Sequence, residues 1–372
     1  MRILYFSRRY TTHDFRFLSR LSTSPYEVYY LCLEEDSGQY ETRPLPWNVI
    51  PVEWEDGYRP ACTPDDWFHL LPSFEKIVRQ VHPDLIHAGP VQSCGFMTAV
   101  IGFHPFLLMS WGSDLLIDAD RNIQWQWLTR YAISHSDMLV CDSTSVRFKA
   151  QSLVPYSDEQ IVQIPWGIDL QTFQSGNRDL AIRQRLGWEN QRVILSTRSW
   201  EELYGIDILL EAFRQAYQAD SNLRLLMLTS GSEREKILGF IAQHNLTDVV
   251  QCPGLIPNLD LVKYYQAADA YVSCAHSDGT SISLLEALGV GLPVVVTDIP
   301  SNREWVTPDE NGWLGIDNDP NSFALAMLRS VHLSDTERIG IYERNRALIK
   351  ARANWGQNIE ELLAAYARLL TH

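Results

Sequence analysis

Long hydrophobic runs are missing from this 372-residue chain. No apolar stretch reaches the ~18 residues of a membrane-spanning helix. The opening "MRILYF" reads as a short strand with no small-residue cleavage site behind it, so neither a signal peptide nor an anchor is expected and a cytoplasmic location follows. A basic excess is missing too. The net charge is −15, with 13 Lys+Arg against 21 Asp+Glu in residues 1–170, so nucleic acid is not an expected partner and docking on anionic lipid is not favoured. Arg2, Arg8, Arg9, Arg16 and Arg20 are nonetheless gathered near the start. Cysteine is sparse: Cys32, Cys62, Cys94, Cys141, Cys252 and Cys274 contain no C-x-x-C pair, which fits reduced thiols rather than a zinc site or a disulfide framework. No glycine-rich dinucleotide fingerprint follows the first strand, where "FSRRYTTHDF" stands, and no Walker A sequence occurs, which argues against a dehydrogenase and a P-loop nucleotidase. Short-period repeats and low-complexity tracts are also absent.

What is present is an alternation. "RILYFS", "EVYYLCL", a short strand ending at His87, "FLLMSWGSD", "DMLVCDS" and "IVQIPWGID" read as strands, with helical periods such as "RFLSRLS" and "FEKIVRQV" between them. Residues 34–66 read as a long loop. The pattern restarts with "RVILSTRS", the amphipathic "GIDILLEAFRQAY", "LRLLMLTSG", "VVQCPGLI", "AYVSCAH" and "PVVVTD". Two α/β halves are therefore expected, each a doubly wound parallel sheet covered on both faces, joined by a linker at "QTFQSGNRD". Ligands in such sheets bind beyond the carboxyl ends of the strands, where His87, Trp111, Asp142, Trp166, Arg198, Ser230 and Ser277 fall, and a cleft between the halves is the default site.

The segment "SDGTSISLLEALGVGLPVVVTD" carries the strongest chemistry. A helix starting near Thr280 would turn the N–H groups of its first turn towards an anion, and phosphate suits them well. Glu286 would lie about 12 Å along from Asp278, close to the length of a ribose–diphosphate–sugar unit. Asp278 could also simply cap the helix. Glu286 could be a solvated helix residue, but its apolar neighbours Leu285 and Ala287 favour burial with a purpose. Arg198, at a strand end, could be a phosphate ligand or a structural partner of Glu201 or Glu202.

This segment resembles the signature region of retaining glycosyltransferases of family four, which have the GT-B fold. "STRSWEELYGIDILLEAF" resembles the family's phosphate-binding segment and "VVQCPGLIPNLDLVKYYQAADAYVSC" its base-binding loop with the helix and strand after it. "PDLIHAGP", "SWGSD" and "IPWGID" fall where the family has first-domain markers, and "ANWGQNIEELLAAYARLL" resembles its last helices. The resemblance implies two Rossmann-like domains facing a central cleft. Residues 1–170 would bind the acceptor, 171–352 would bind a nucleotide-sugar, and 353–372 would form a helix packing back towards the first domain. It implies transfer of a sugar from a nucleotide-diphosphate donor to an acceptor hydroxyl (a sugar, lipid-linked or small-molecule acceptor) with retention, and no metal or other cofactor. A sugar-nucleotide epimerase, a phosphorylase and a non-catalytic nucleotide-sugar-binding relative remain open on the same architecture.

Carried over residue by residue, the resemblance makes Arg198, Asp278 and Glu286 the catalytic set. Arg198, Tyr204, Gly279, Thr280 and Ser281 would meet the diphosphate, Glu286 the ribose, and Leu255 and Ile256 the base. Asp278 would hold hydroxyls of the transferred sugar. His13, Arg16, His87, Trp111 and Trp166 would lie on the acceptor or sugar side, with His87 equally readable as a satisfied core histidine. The chain departs from the family pattern in several places. Asp278 stands for the usual Glu, Tyr204 for the phosphate-binding Lys, Trp111 for a His and Trp166 for an Asn, and "HDFR" replaces the first glycine-rich loop. Tyr204 can donate a hydrogen bond but brings no charge at neutral pH, so Arg8, Arg9 or Arg16 is a candidate to supply it. Trp111 and Trp166 read either as stacking surfaces or as packing.

Overall fold

The computed structural model describes residues 1–34, 43–54, 63–174 and 180–371; Cys62 and the linker positions 175–179 lie outside them. The chain forms two compact units, Met1–Ile164 with Ile359–His372, and Pro165–Asn358.

Among the described residues the first unit holds seven parallel strands: β1 (Arg2–Ser7), β2 (Glu27–Cys32), β3 (Val49–Pro51), β4 (Leu85–Gly89), β5 (Phe106–Met109), β6 (Met138–Cys141) and β7 (Ile161–Gln163). They run in the order β3-β2-β1-β4-β5-β6-β7. The second unit holds six: β8 (Arg192–Ser196), β9 (Leu223–Leu228), β10 (Val250–Gly254), β11 (Ala270–Ser273), β12 (Val294–Thr297) and β13 (Gly312–Gly315), in the order β10-β9-β8-β11-β12-β13. Both are doubly wound, Rossmann-like sheets. The near-continuous apolar strands explain why. In β8, Val193 and Leu195 join one buried cluster while Ile194, between them, joins another. A strand alternates its side chains between two faces, so a run with no polar residue demands helices on both.

Two strands depart from the sequence reading. β3 lies inside the stretch read as loop, and a helix opens at Pro64 within the same stretch. β3 is a three-residue edge strand ending in proline, too short to show a period and placed where proline's missing N–H costs nothing. β13, "GWLG", was not anticipated because its two glycines disfavour a strand. A Cβ on Gly312 would sit 2.6 Å from the Val294 carbonyl oxygen, and one on Gly315 would run into the Phe323 ring, so close approach selects glycine at both positions.

Each sheet reverses its winding once. In the first unit the reversal falls between β1 and β4, in the second between β8 and β11. At such a switch point the loops leaving two adjacent strands diverge to opposite faces and open a crevice.

Candidate functional site

In the second unit, the loops after β8 and β11 bring Arg198 and Asp278 together. Arg198 Nη2 pairs with the Asp278 carboxylate at 2.9 Å. Its Nη1 donates to the hydroxyls of Ser281 at 2.7 Å and Ser283 at 3.3 Å. The face of the guanidinium lies 4.0 Å from the centre of the Tyr204 ring. Its Nε–H is buried and has no partner. Burial opposes the charge on Arg198, but the Asp278 carboxylate overcomes it and holds the guanidinium protonated. Burial likewise pushes Asp278 above the usual carboxylate range, against the pull of Arg198, the Ser281 hydroxyl and the Gly279 N–H. The partner of Arg198 is thus Asp278, and not the nearby Glu201, which accepts from the Ser232 N–H at 3.0 Å.

The helix expected from Thr280 starts two residues later, at Ile282, with Ser281 as its N-cap accepting from the Leu284 N–H. The delay has a cause: Gly279 and Ser281 are engaged by Asp278 and Arg198, which fixes this stretch as a loop. Thr280 is buried beside them. Every residue from Leu284 to Val290 is buried, so the helix runs through the core and carries Glu286 with it, 6% exposed. The Tyr265 hydroxyl donates to Glu286 Oε2 at 2.9 Å. Tyr265 also lies 3.0 Å from the Thr197 hydroxyl and 3.2 Å from the Ser283 carbonyl, which joins it to the Arg198 loop. A lone buried carboxylate is costly unless hydrogen-bonded, and Tyr265 meets part of that need. Leu255 and Ile256 follow β10, which ends at Gly254 with a left-handed φ of 86°. Leu255 is 76% exposed, whereas Ile256 packs against the core.

In the first unit, Tyr5 and His87 are register partners on β1 and β4, facing away from the large cluster built on Leu4, Phe6, Ile86 and Ala88. His87 does not end its strand; β4 continues to Gly89. Its Nδ1 shares a hydrogen bond of 2.5 Å with the Tyr366 hydroxyl, while Nε2 is buried without a partner. The rings of His87, Phe17, Trp111 and His13 follow one another at 6.4, 6.2 and 5.6 Å. The structure therefore joins His13, Trp111 and His87 in one aromatic run, with half-buried Arg16 on the His13 helix. Asp114 holds the Trp111 loop by accepting from the Ser110 hydroxyl at 2.6 Å and from the N–H groups of Val91 and Trp111, each at 3.1 Å. Trp166 belongs to the other unit and is 3% exposed. Arg8 and Arg9 both bind the buried Glu34, at 2.8 and 2.9 Å.

Asp14, in the "HDFR" segment that stands in place of the first glycine-rich loop, closes the Thr11 capping box, readable as T-x-x-D. It is buried and accepts from the Tyr5 hydroxyl at 3.0 Å. Burial raises its carboxyl to about 6, against hydrogen bonds from Thr11, Tyr5 and Ser7. Burial holds His87 down at about 3. The two shifts act on stability with opposite sign. The contribution of His87 is complete above 6.5 and is lost as pH falls towards 3, because the unfolded chain takes the proton first. That of Asp14 is complete below 3.8 and is lost as pH rises through about 6. Between about pH 4 and 6 they offset. Relative to the wild type, Asp14→Asn is expected to lose stability on acidification through that window, by up to about 1.4 kcal/mol per pH unit. His87→Gln is expected to do the reverse. Denaturant midpoints across the window measure it, and three parallel profiles would show that neither group carries its shift.

Among the described residues, no group of three or more His, Cys, Asp or Glu is placed to hold a metal ion, and no helix is long and apolar enough to cross a membrane.

Comparison with known proteins bears on the family and the fold. Residues 179–355 match the family model "Glycosyl transferases group 1" and residues 2–143 match "Glycosyl transferase 4-like". The D-inositol 3-phosphate glycosyltransferase of Kineococcus radiotolerans is 27% identical over 254 residues, covering 63% of this chain and 58% of that protein. Across eight curated relatives the chain spans 28–58% of their length. Among solved structures, sucrose-phosphate synthase from Thermosynechococcus elongatus superposes with a TM-score of 0.85 at 17% identity, covering 100% of both chains. Anabaena Alr3699/HepE in complex with UDP and glucose superposes with a TM-score of 0.82 at 17% identity, covering 99% of this chain and 100% of that one. With the two models together accounting for most of its length and full-length superposition on these structures, the chain belongs to the group 1 glycosyltransferases and has the GT-B architecture of the family-four type.

Proposed function

We propose that the chain transfers a sugar from a nucleotide-diphosphate donor to an acceptor hydroxyl with retention of anomeric configuration. The observation that carries this reading is the buried fork of Arg198 at the β8–β11 switch point, with an unpaired Nε–H, in the same unit as a buried carboxylate at Glu286. A planar cation fixed on several sides suits a diphosphate. A carboxylate held by Tyr265 suits the paired hydroxyls of a ribose. Asp278, joined to the same arginine, would hold hydroxyls of the transferred sugar.

In the reaction, the bond from the anomeric carbon to the diphosphate oxygen breaks, and the acceptor hydroxyl bonds to that carbon from the same face. Its proton passes to the departing phosphate oxygen. Negative charge grows on the diphosphate, and Arg198, held in place by Asp278, Ser281 and Ser283, would be the fixed positive charge that meets it. No protein nucleophile is required. HepE has been solved with UDP and with UDP-glucose, which makes uridine nucleotides the first donors to try. Incubation with UDP-, GDP- and ADP-sugars and a panel of acceptors is expected to release a nucleoside diphosphate, and proton NMR of the glycoside to show the donor's anomeric configuration. Inversion would remove retention. An altered donor sugar without transfer would favour an epimerase, and binding without turnover a non-catalytic relative.

A further inference from the structure

We propose that Tyr204 is a positioning residue that holds the Arg198 guanidinium by its ring face, and that its hydroxyl is not what serves the diphosphate. This rests on the reading of Arg198 as the diphosphate ligand and says how the chain manages with a phenol where a lysine is usual.

The local construction carries the inference. Tyr204 ends a short turn, Glu202–Tyr204, closed by Gly205 with a left-handed φ of 57°. A Cβ on Gly205 would stand 2.3 Å from the Cys274 carbonyl oxygen, so this turn is seated directly on the chain leaving β11. The His276 N–H donates to the Leu203 carbonyl at 3.0 Å and fastens the same two segments again. Two residues beyond His276 comes Asp278, the ion-pair partner of Arg198. The turn that carries the ring and the loop that carries the carboxylate are thus one framework, with Arg198 between them.

Within it the guanidinium is held from three directions. Asp278 takes Nη2, the Ser281 and Ser283 hydroxyls take Nη1, and the Tyr204 ring lies against its flat face at 4.0 Å. These contacts leave Nε–H as the buried donor still without a partner. A cation over an aromatic face is attracted by the ring's quadrupole, most strongly where water is excluded, and phenylalanine offers nearly the same face as tyrosine. A lysine in this place would set a second positive charge against Arg198 and remove the surface on which it rests. The substitution thus changes the task at this position from supplying charge to aiming it.

The test uses the full chain, with UDP, GDP and ADP and their nucleosides as probes, and affinities from titration calorimetry. Tyr204→Leu is expected to weaken binding of the preferred nucleoside diphosphate by about tenfold, the scale of a desolvated cation–π contact, with the nucleoside bound as before. Tyr204→Phe is expected to retain affinity to within about threefold. Tyr204→Lys is expected to lose at least as much as Tyr204→Leu. In an Arg198→Ala background, Tyr204→Leu is expected to add nothing further, because the group it positions has gone. The inference is overturned if Tyr204→Phe falls as far as Tyr204→Leu, if Tyr204→Lys equals or exceeds wild type, or if the cost of Tyr204→Leu persists without Arg198. Should Arg198→Ala itself bind every nucleoside diphosphate as tightly as wild type, the diphosphate site is misplaced and this inference falls with it.

Discussion

Arg198→Ala is expected to lower kcat by about two to three orders of magnitude, the range seen when one fixed donor to a developing anion is removed. Donor affinity should fall as well, but by less. In the bound donor the diphosphate charge is already spread over several oxygens. As the glycosidic bond breaks, additional charge gathers on the leaving oxygen, and an interaction that strengthens at that point acts on kcat. The guanidinium is suited to this because it cannot drift: Asp278, Ser281, Ser283 and the Tyr204 ring fix it before donor arrives. Arg198→Lys keeps the charge and loses the fork and the stacked plane, so it should recover little of the rate. The alanine variant also strips Asp278 of its counter-ion. Burial already favours the neutral form of that carboxyl, but removing one partner of a buried ion pair costs about 3–5 kcal/mol, so a lowered melting temperature is expected and the rates are compared well below it. Steady-state kinetics with the best donor of the panel decide the matter. A normal kcat with a raised KM would show that Arg198 binds ground state and transition state alike.

The legibility of this chain in its sequence was uneven, for physical reasons. The strands flanking the switch points were readable because each is an apolar run bounded by polar or turn-forming residues, as in "RVILSTRS" and "AYVSCAH". β3 and β13 were not, since three or four residues of mixed character give no period and the edge pairing of β3 is a tertiary fact. At the site, residues at strand ends were readable as types in places: Arg198 as a cation, Glu286 as a carboxylate buried in an apolar helix. Their partners were not. Asp278 lies 80 residues from Arg198 in sequence, and nothing local says that the two meet. Tyr265 sits in a helix as one more aromatic, and only packing turns its hydroxyl to Glu286. Tyr204 was readable as a hydrogen-bond donor because sequence shows a hydroxyl and hides the orientation of a ring. Arg8 and Arg9 were readable as charges, while Glu34, buried beside them, could be assigned only once β1 and β2 were paired.

Glu286→Gln is expected to weaken binding of the preferred nucleoside diphosphate by about 1.5–3 kcal/mol for each charge-assisted hydrogen bond to the ribose that it loses, a tenfold to hundredfold change. Glutamine keeps the shape of the side chain, so the buried helix should stay intact, and the loss would report on charge and acceptor capacity rather than on packing. Tyr265 extends the same argument. Its hydroxyl donates to Glu286 Oε2 at 2.9 Å and leaves the carboxylate aimed by a contact from a different helix. Tyr265→Phe removes one hydroxyl from a buried place and should cost a smaller part of the same affinity, about 0.5–1.5 kcal/mol. The decisive comparison is between ribose and 2′-deoxyribose nucleoside diphosphates. Wild type should prefer the ribose form, and Glu286→Gln should largely erase that preference by losing affinity for ribose while its affinity for the deoxy form changes little. Tyr265→Phe should narrow the preference without abolishing it. A general loss of packing would lower both ligands together and leave their ratio alone. If Glu286→Gln retains the full preference for ribose, the carboxylate does not face the ribose hydroxyls; if it loses the preference and Tyr265→Phe keeps all of it, Glu286 is aimed by the helix backbone alone and the tyrosine serves only to satisfy a buried charge.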